Sequence, residues 1–366
     1  MRLLKNQEKK IDSGLFLACL FTCLLGLVFV FEASSVSAAR TFGDQYHFLK
    51  DQTIWLGLGF ISLSFFSFFD YHRLYYFALP IIGAIIILLL LVFLPGLGVK
   101  ALGAHRWLNF GPIVLQPAEF TKLGLTIYLA AWFSVKERGR FWAFLILIGI
   151  IVGLVVLEPD LGTAIIISLT AICLYFVSGA PLWHFAILAP LFTAGGFFLA
   201  IFSPYRFRRL TSFINPDLDP LGASYHIRQV LLALGSGGLF GVGLGKSLEK
   251  FDYLPEATTD SIFAIIGEEI GFFGASMIIL LFLFILWRGI KIAKFAPDRF
   301  GFLLAYGICS WIGLQAMVNL GAMVALIPLT GVPLPFISYG GSNLIATLTG
   351  VGILLNISKQ RLAKRV

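Results

Sequence analysis

The ionisable residues that border or enter the long apolar segments of this chain are few, and they are its first candidates for chemistry. They are Glu119, Lys122, Glu158, Asp160, Asp260, Glu268 and Glu269. A charged side chain inside or beside a membrane span costs free energy, so such residues are functional candidates by default. A carboxyl group held where water meets lipid has a raised pKa, which makes it a stronger general base.

Asp260 and the Glu119–Lys122 pair each have a structural and a chemical interpretation. Asp260 follows LPEATT at 254–259 and precedes an apolar run. An aspartate in that position caps a helix or serves as a general base, and the two roles are compatible. Glu119 and Lys122 are three residues apart, hence on one helical face, where they form a structural ion pair or contact a substrate. The sequence leaves these alternatives open.

A glycine-rich stretch, GSGGLFGVGLGKS at 235–247, invites comparison with a phosphate-binding P-loop. The P-loop pattern requires glycine where this chain has Phe240, and no alternation of strands and helices surrounds it, so a P-loop is excluded. The glycines are instead expected to let the stretch lie close to the membrane surface, with Lys246 near phosphate headgroups.

Ten apolar segments must position these residues. Hydrophobic residues make up 58% of the 366 residues and charged residues 13%, well below the roughly 25% charged residues of soluble domains. Apolar runs of about 20 residues have the length of membrane-spanning helices. The chain is therefore predicted to be an all-α polytopic membrane protein with one domain over 1–366. Its spans are predicted near 14–34, 52–69, 75–95, 117–135, 141–157, 161–179, 183–203, 260–287, 301–328 and 339–358.

The distribution of basic residues predicts which ends of the spans face the cytoplasm. More than half of the 27 Lys and Arg fall in the termini, 1–13 and 359–366, and in the connections on the same side. By the positive-inside rule both termini are cytoplasmic and the connection 204–259 is extracytoplasmic. Connections longer than about 15 residues tend to be functional, so function is sought there. The charge of +8 is spread between spans, which favours anionic membrane lipids as partners over nucleic acid.

Four segments carry a resemblance to a known family. They are GAHRWL at 103–108 with QPAEFTK at 116–122, EPDLGT at 158–163, LPEATTD at 254–260 and PFISYGGS at 335–342. In this order, in a ten-span chain with its long connection after the seventh span, they resemble the SEDS (shape, elongation, division, sporulation) family, which includes FtsW, RodA and SpoVE. GLGKSLEK at 243–250 and SIFAIIGEE at 261–269 resemble FtsW more than RodA. The chain departs from the family pattern at Glu158, where glutamine is frequent, and at Ser261, where phenylalanine is frequent.

The resemblance implies a peptidoglycan glycosyltransferase that polymerises lipid II on the outer face of the cytoplasmic membrane, at the division septum. The implied partners are lipid II, a growing glycan on undecaprenyl diphosphate, a class B penicillin-binding protein as FtsI-like transpeptidase, and other division proteins. The family's essential aspartate maps onto Asp260, as the general base of an inverting transfer. A lipid II flippase, a RodA-like elongation polymerase and a non-catalytic division scaffold are the alternatives.

Further residues are candidates for contact with the substrate. The leaving diphosphate needs positive charge nearby, which basic side chains or a divalent cation, Mg²⁺ or Mn²⁺, would supply. The candidate residues are Arg106, Glu119, Lys122, Asp160, Arg206, Arg208, Arg209, Lys246, Glu256, Ser338 and Ser342. No metal ligand is assigned among them.

Overall fold

The computed structural model describes residues 10–101, 104–111, 114–135, 139–202, 204–215, 222, 224–251 and 254–360. Within these residues the chain forms ten long helices, two short helices and three short strands. The long helices are α1 (Ser13–Phe42), α2 (His47–Phe68), α3 (His72–Leu91), α4 (Pro117–Ser134), α5 (Phe141–Leu157), α6 (Leu161–Val177), α7 (Leu182–Ile201), α10 (Ile262–Lys294), α11 (Arg299–Met323) and α12 (Gly341–Lys359). The short helices are α8 (Pro204–Ile214) and α9 (Tyr225–Ser236), and the strands are β1 (Gly98–Ala101), β2 (Ala104–Asn109) and β3 (Val114–Leu115).

The ten long helices coincide with the ten predicted spans, which confirms the all-α polytopic fold. In the part of the chain that is described, α1, α3, α7, α10, α11 and α12 are long and apolar enough to cross a membrane by length and composition. α5 and α6 are apolar helices of 17 residues each, which is at the lower limit of about 17–25 residues for a spanning helix. The chain is therefore a multi-pass membrane protein.

Helix α4 lies at the centre of the bundle. It packs against α3, α6, α11 and α12, while α12 also packs against α2. Leu129 of α4, Trp311 of α11 and Ile353 of α12 are almost completely buried in these contacts. In a bilayer such contacts stabilise through close packing and interhelical hydrogen bonds, since lipid is as apolar as the side chains. This packing fixes the starts of α4 and α12 relative to each other.

Hydrogen bonds join the two ends of the described chain at one end of the bundle. Arg288, near the end of α10, donates from Nε to Asp12 Oδ1 at 2.9 Å, and the main-chain nitrogen of Asp12 donates to Ser358 Oγ at 3.1 Å. Lys359 Nζ donates to the carbonyl oxygen of Ser67, at the end of α2, at 2.9 Å. The starts of α4, α6 and α12 meet at the opposite end. Both termini of the bundle therefore lie on the same side.

The connection between α3 and α4 forms a small antiparallel sheet that hydropathy did not predict. β1 pairs with β2 and β2 with β3, with Gly98 opposite Leu108 and Asn109 opposite Val114. Strands of two to six residues are too short for an alternation of polar and apolar residues to be read from sequence. The sheet brings Arg106 into the wall of a cavity.

The extracytoplasmic loop predicted over 204–259 is not an irregular connection, because α8 and α9 lie in it. Its glycine-rich stretch packs against α10, a contact that the sequence did not reveal. α10 is interrupted at Gly271, whose φ of 69° and ψ of −170° are not helical. A Cβ on Gly241 would lie 2.1 Å from the carbonyl oxygen of Glu269, so only glycine permits this approach.

The two glutamates inside α10 hold this stretch in place. The Ser247 hydroxyl donates to the carboxylate of Glu268. Lys250 Nζ lies 3.5 Å from Glu269 Oε1 and 3.3 Å from Oε2 of Glu32 on α1. Buried carboxylates require such partners, because an unpaired charge in an apolar environment is costly. Glu268 and Glu269 therefore anchor the loop to α10, and the Lys250–Glu32 ion pair anchors it to α1.

Candidate active site

A cavity of about 1120 Å³, with several charged side chains in its wall, opens at the end of the bundle where α4, α6, α10 and α12 begin. Side chains of α2, β2, β3 and α8 and the segment between α11 and α12 complete its wall. Seven of the predicted site residues line it: Arg106, Glu119, Asp160, Arg209, Glu256, Asp260 and Ser342. Residues that are far apart in the sequence thus meet at one site.

Asp260 lies in the cavity wall two residues before α10 begins, and it is 5% exposed. Its Oδ1 accepts a hydrogen bond from Thr259 Oγ1 at 3.3 Å. The N-cap position of α10 is occupied by Ser261, so the interpretation of Asp260 as the helix cap is wrong. Its carboxyl group borders the cavity instead.

Burial raises the pKa of the Asp260 carboxyl to about 7. The negative charge of Glu256 contributes to this rise in pKa, while Arg209 opposes it. An exposed aspartate has a pKa of about 3.9 and is a weak base at neutral pH. The environment of Asp260 therefore gives it the basicity that a general base needs near pH 7.

Arg209 of α8 lines the same cavity and lies close to Asp260. Its Nη1 donates to the carbonyl oxygen of Leu329 at 3.1 Å. Gly331 has a φ of +71°, and a Cβ at this position would lie 3.7 Å from Arg209 Nη1 and 3.9 Å from Asp260 Oδ2. The guanidinium and the carboxylate therefore both lie beside Gly331.

Arg106 of β2 holds the sheet against the turn between α5 and α6. Its Nε donates to the carbonyl oxygen of Glu158 at 3.2 Å, and its Nη2 donates to that of Pro159. These two bonds leave the positive charge of Arg106 in the cavity wall. An anion in the cavity would therefore meet guanidinium groups on two sides, from Arg106 and Arg209.

Glu119 and Lys122 form an ion pair of 2.7 Å in which both residues are 2% exposed. Lys122 Nζ also donates to Gln315 Oε1 at 2.6 Å, and Gln315 Nε2 donates to Asn343 Oδ1 at 3.0 Å. Glu119 lines the cavity, while Lys122 lies behind it. The pair therefore joins α4 to α11 and α12 beneath the cavity wall.

Asp160 and Ser342 fix the starts of α6, α4 and α12 to one another. Asp160 Oδ1 accepts from the main-chain nitrogen of Thr163 at 3.0 Å, as the N-cap of α6, and its Oδ2 accepts from Gln116 Nε2 at 3.0 Å. The main-chain nitrogen of Gln116 donates to Ser342 Oγ at 2.9 Å. Three helix N-termini, which carry partial positive charge, thus border the cavity.

Besides Lys122, three predicted residues do not line the cavity. Arg208 and Lys246 are exposed, on α8 and in the glycine-rich stretch. Ser338 is buried, and its Oγ accepts from the main-chain nitrogen of Leu334 at 2.8 Å. The side chain of Arg206 lies outside the described residues.

The site also contains uncharged polar residues, which the charge pattern of the sequence did not indicate. Gln116 and Asn343 line the cavity, and Gln315 and Asn319 lie behind it. Gln116 opens the segment QPAEFTK, and Asn343 directly follows PFISYGGS. Their position in or beside these segments could have marked Gln116 and Asn343 as site residues. Gln315 and Asn319 lie inside the apolar helix α11, where no motif marks them.

Glu158 is predicted to make the stability of the protein depend on pH. It is fully buried, and neither carboxyl oxygen has a hydrogen-bond partner within the described residues. Burial, reinforced by Asp160 and opposed by Arg106, raises its pKa to about 9. In the unfolded chain it ionises near ~4.3, so between these pH values the folded state binds the extra proton, and stability falls as pH rises.

We therefore expect Glu158→Gln to stabilise the protein relative to wild type at alkaline pH more than at acid pH. Thermal unfolding in detergent near pH ~5.5 and ~8.5 measures the difference, which should widen by at most about 1.4 kcal/mol per pH unit. Asp44→Asn, at an exposed carboxylate whose pKa is lowered by Lys50, is the control and should show no widening. An equal offset at both pH values would contradict a protonated Glu158.

The fold and the cavity define a polytopic helical membrane protein with a buried carboxylate and two guanidinium groups at one end of its bundle. The chain belongs to the FtsW, RodA and SpoVE family of cell cycle proteins, whose sequence model it matches over residues 13–363. It is 42% identical over 359 residues to stage V sporulation protein E of Bacillus subtilis (strain 168), covering 96% of this chain and 98% of that protein. It is 39% identical over 352 residues to the probable peptidoglycan glycosyltransferase FtsW of Geobacter sp. (strain M18), covering 94% of this chain and 95% of that protein.

Solved structures share the fold over nearly the whole chain. A chain of a peptidoglycan synthase complex, described for its structural coordination of polymerization and crosslinking, gives a TM-score of 0.76 at 30% identity, covering 95% of this chain and 97% of that chain. The rod shape determining protein RodA of Thermus thermophilus gives a TM-score of 0.71 at 32% identity, covering 97% and 98%. Because all three branches of the family are represented, the family is confirmed, and the closer resemblance to FtsW stays a prediction.

Proposed function

We propose that this protein is a peptidoglycan glycosyltransferase that polymerises lipid II into glycan strands, with Asp260 as the general base. The observation that carries the proposal is the buried Asp260 carboxyl, which borders a large cavity together with Arg209 and Arg106. The FtsW relatives are named as probable peptidoglycan glycosyltransferases, which supports the same reaction class.

In the proposed reaction, the 4-hydroxyl of the GlcNAc of an incoming lipid II attacks the anomeric carbon of the MurNAc at the end of a growing glycan. A bond forms between the hydroxyl oxygen and that carbon, the bond from the carbon to the diphosphate oxygen breaks, and the configuration inverts. Asp260 takes the proton of the hydroxyl, since a sugar hydroxyl is a poor nucleophile without a base. The undecaprenyl diphosphate leaves as an anion, so one carboxylate is sufficient, in contrast to the two of glycosidases.

The leaving diphosphate is stabilised by positive charge in the cavity wall. Arg209 and Arg106 supply two guanidinium groups, which suit phosphate oxygens because they donate several hydrogen bonds at once. The starts of α4, α6 and α12 add partial positive charge. Lys122 contributes less, because it lies behind the wall and is paired with Glu119.

The residues present do not form a protein cage for a metal ion. Within the described ranges, no three or more His, Cys, Asp or Glu side chains come together as a potential metal site. The predicted Mg²⁺ or Mn²⁺ would therefore arrive with the diphosphate and keep most of its water, as Mg²⁺ does at substrate phosphates. The proposed steps do not require it.

We place the cavity on the outer side of the cytoplasmic membrane, with both termini in the cytoplasm. The excess of Lys and Arg at the end of the bundle that holds Asp12, Arg288 and Lys359 supports this orientation. The structural relative in a peptidoglycan synthase complex supports a partner that crosslinks the product, a class B penicillin-binding protein. Septal synthesis during division, with other division proteins, is the role that the FtsW resemblance favours.

A lipid II flippase is the second candidate, and the placement of charge separates it from a polymerase. A translocation path needs polar groups at several depths between the two faces. In the part of the chain that is described, the charged residues lining the cavity lie at the end of the bundle where α4, α6, α10 and α12 begin. This clustering favours chemistry at one face over passage across the membrane.

We expect the purified protein, reconstituted in liposomes with lipid II and its cognate transpeptidase, to form glycan polymer. Product length on a gel after removal of the lipid measures polymerisation, and a fluorescent lipid II accessible to a quencher on one side measures flipping. Polymer formed without net flipping supports the proposal. Flipping that is independent of Asp260 and yields no polymer would favour the transporter.

A further inference from the structure

We infer that Asn319 is a positioning residue for Asp260, an inference that rests on the function proposed above. Asn319 lies on the last turns of α11 and is 1% exposed. It is not among the residues that line the cavity, so it does not touch a substrate there. Its effect on the reaction must pass through the residues to which it is bonded.

The side-chain amide nitrogen of Asn319 donates two hydrogen bonds. Its Nδ2 donates to the carbonyl oxygen of Asp260 at 2.7 Å and to that of Val332 at 2.8 Å. Its Oδ1 is buried and has no hydrogen-bond partner within the described chain. A buried acceptor without a partner lowers stability, so this amide is not simply a satisfied polar group of the bundle interior.

These two bonds join the backbone that carries the carboxylate to the segment that borders it. The carbonyl oxygen of Asp260 lies just before α10. The main-chain nitrogen of Ala264, four residues further on, does not donate to it but to the carbonyl oxygen of Ser261. Val332 follows Gly331, which lies beside Asp260 Oδ2 and Arg209 Nη1. The side chain of Asn319 thus sets the distance between Asp260 and the segment around Val332 that borders it.

A second tether is present next to Asp260 but does not replace the first. The carbonyl oxygen of Thr258 accepts from the main-chain nitrogen of Tyr339 at 2.9 Å. Without Asn319 the segment would stay attached at Thr258 and, through the hydrogen bond of 2.6 Å between Ser261 Oγ and His226 Nε2, at Ser261. The carbonyl of Asp260 between them would lose the bond from Asn319, and Asp260 would shift. A misplacement of about 1 Å at a reacting group costs on the order of 10²-fold in rate.

We expect Asn319→Leu to lower kcat for polymerisation by about 10–100-fold and to change KM for lipid II by less than about twofold. Asn319→Ser, which is smaller and removes the same two donors, is the second variant and should behave alike. Asn356→Leu is the matched control: Asn356 of α12 is 4% exposed, its Nδ2 donates to Ser67 O at 3.0 Å, and its Oδ1 accepts from Tyr71 N at 3.1 Å. The control should lose similar thermal stability and keep its kcat.

A measurement that needs no turnover distinguishes this inference from the proposed function. Carbodiimide labelling of Asp260, followed by mass spectrometry against pH, reports the environment of the carboxyl in each variant. We expect the midpoint of labelling to fall by at least about half a pH unit in Asn319→Leu, because a shifted segment lets water reach the carboxyl. The midpoint should be unchanged in Asn356→Leu.

The possible outcomes distinguish a failure of the proposed function from a failure of the role inferred for Asn319. A wild-type protein that makes no polymer would contradict the proposed function, and the labelling would still decide the role of Asn319. A labelling midpoint and a kcat that are both unchanged in the two Asn319 variants would overturn the inference. An equal loss of kcat in Asn356→Leu would also overturn it, since the effect would then be general destabilisation.

Discussion

Asp260→Asn should abolish glycan polymerisation while leaving the protein folded. The amide has nearly the same size as the carboxyl, so the packing around the 5% exposed side chain is kept, but an amide does not accept a proton at neutral pH. A positioned general base contributes about 10²–10⁴-fold to a rate, and the measured loss should be in this range or larger. The measurement is polymer formed per unit time at saturating lipid II.

The thermal stability of Asp260→Asn should equal or exceed that of wild type. Burial raises the pKa of Asp260 to about 7, so the ionised carboxylate is unfavourable in the folded state, and the neutral amide removes that cost. Asp44→Asn, at the exposed carboxylate paired with Lys50 at 2.6 Å, controls for a generic effect of the substitution and should keep wild-type activity. Wild-type rates in Asp260→Asn would contradict its assignment as the base.

Lys122→Met should have the largest effect on folding. The substitution leaves Glu119, which is 2% exposed, without the cation that neutralises it, and breaking a buried ion pair in this way costs about 3–5 kcal/mol. It also removes the donor to Gln315 Oε1 at 2.6 Å. Thermal unfolding and the yield of monodisperse protein in detergent measure the effect. Lys246→Met, at an exposed lysine, should change stability by less than about 0.5 kcal/mol.

The charge-swapped pair, Glu119→Lys with Lys122→Glu, should restore folding only in part. The swap would restore opposite charges, but it would place a carboxylate against Gln315 Oε1. The amide of Gln315 is held in its orientation because its Nε2 donates to Pro333 O at 2.9 Å and to Asn343 Oδ1 at 3.0 Å. A Lys122→Met variant as stable as wild type would contradict the structural role of the pair.

Hydropathy was sufficient to predict the ten spans but not where each helix ends. A bilayer demands about 20 apolar residues for each span, so the signal is strong. α1 continues to Phe42, past the predicted end at residue 34, until Gly43 ends it with a φ of 71°. α11 ends at Met323, ahead of the predicted 328. Both ends depend on local turns rather than on hydrophobicity.

The site was predictable to the extent that it depends on rare charges. Asp260, Glu119 and Asp160 stood out because charges beside membrane spans are few, and the cavity contains all three. Arg208 and Arg209 of α8 are adjacent in the sequence, so the sequence does not distinguish them. The tertiary structure places Arg209 in the cavity wall and leaves Arg208 exposed.

The uncharged network behind the wall could not be predicted from one sequence. Gln315 and Asn319 are polar residues in an apolar helix, where a buried amide has many possible partners. Their bonds reach Asn343 and Asp260 across distances of 28 and 59 residues in the chain. Such contacts follow from the packing of α11 against its neighbours, and local patterns carry no information about them.

The pH dependence of the rate of a single transfer tests the central claim most directly. If Asp260 is the base with a pKa of about 7, the rate with lipid II well below its KM should rise roughly tenfold per pH unit well below pH ~7 and level off above it, because only the ionised carboxyl accepts a proton. Rapid-quench measurement of the first glycosidic bond formed, between about pH 5.5 and 8.5, isolates the chemical step from product release. A rate that is flat across this range would contradict the assignment of Asp260 as the general base.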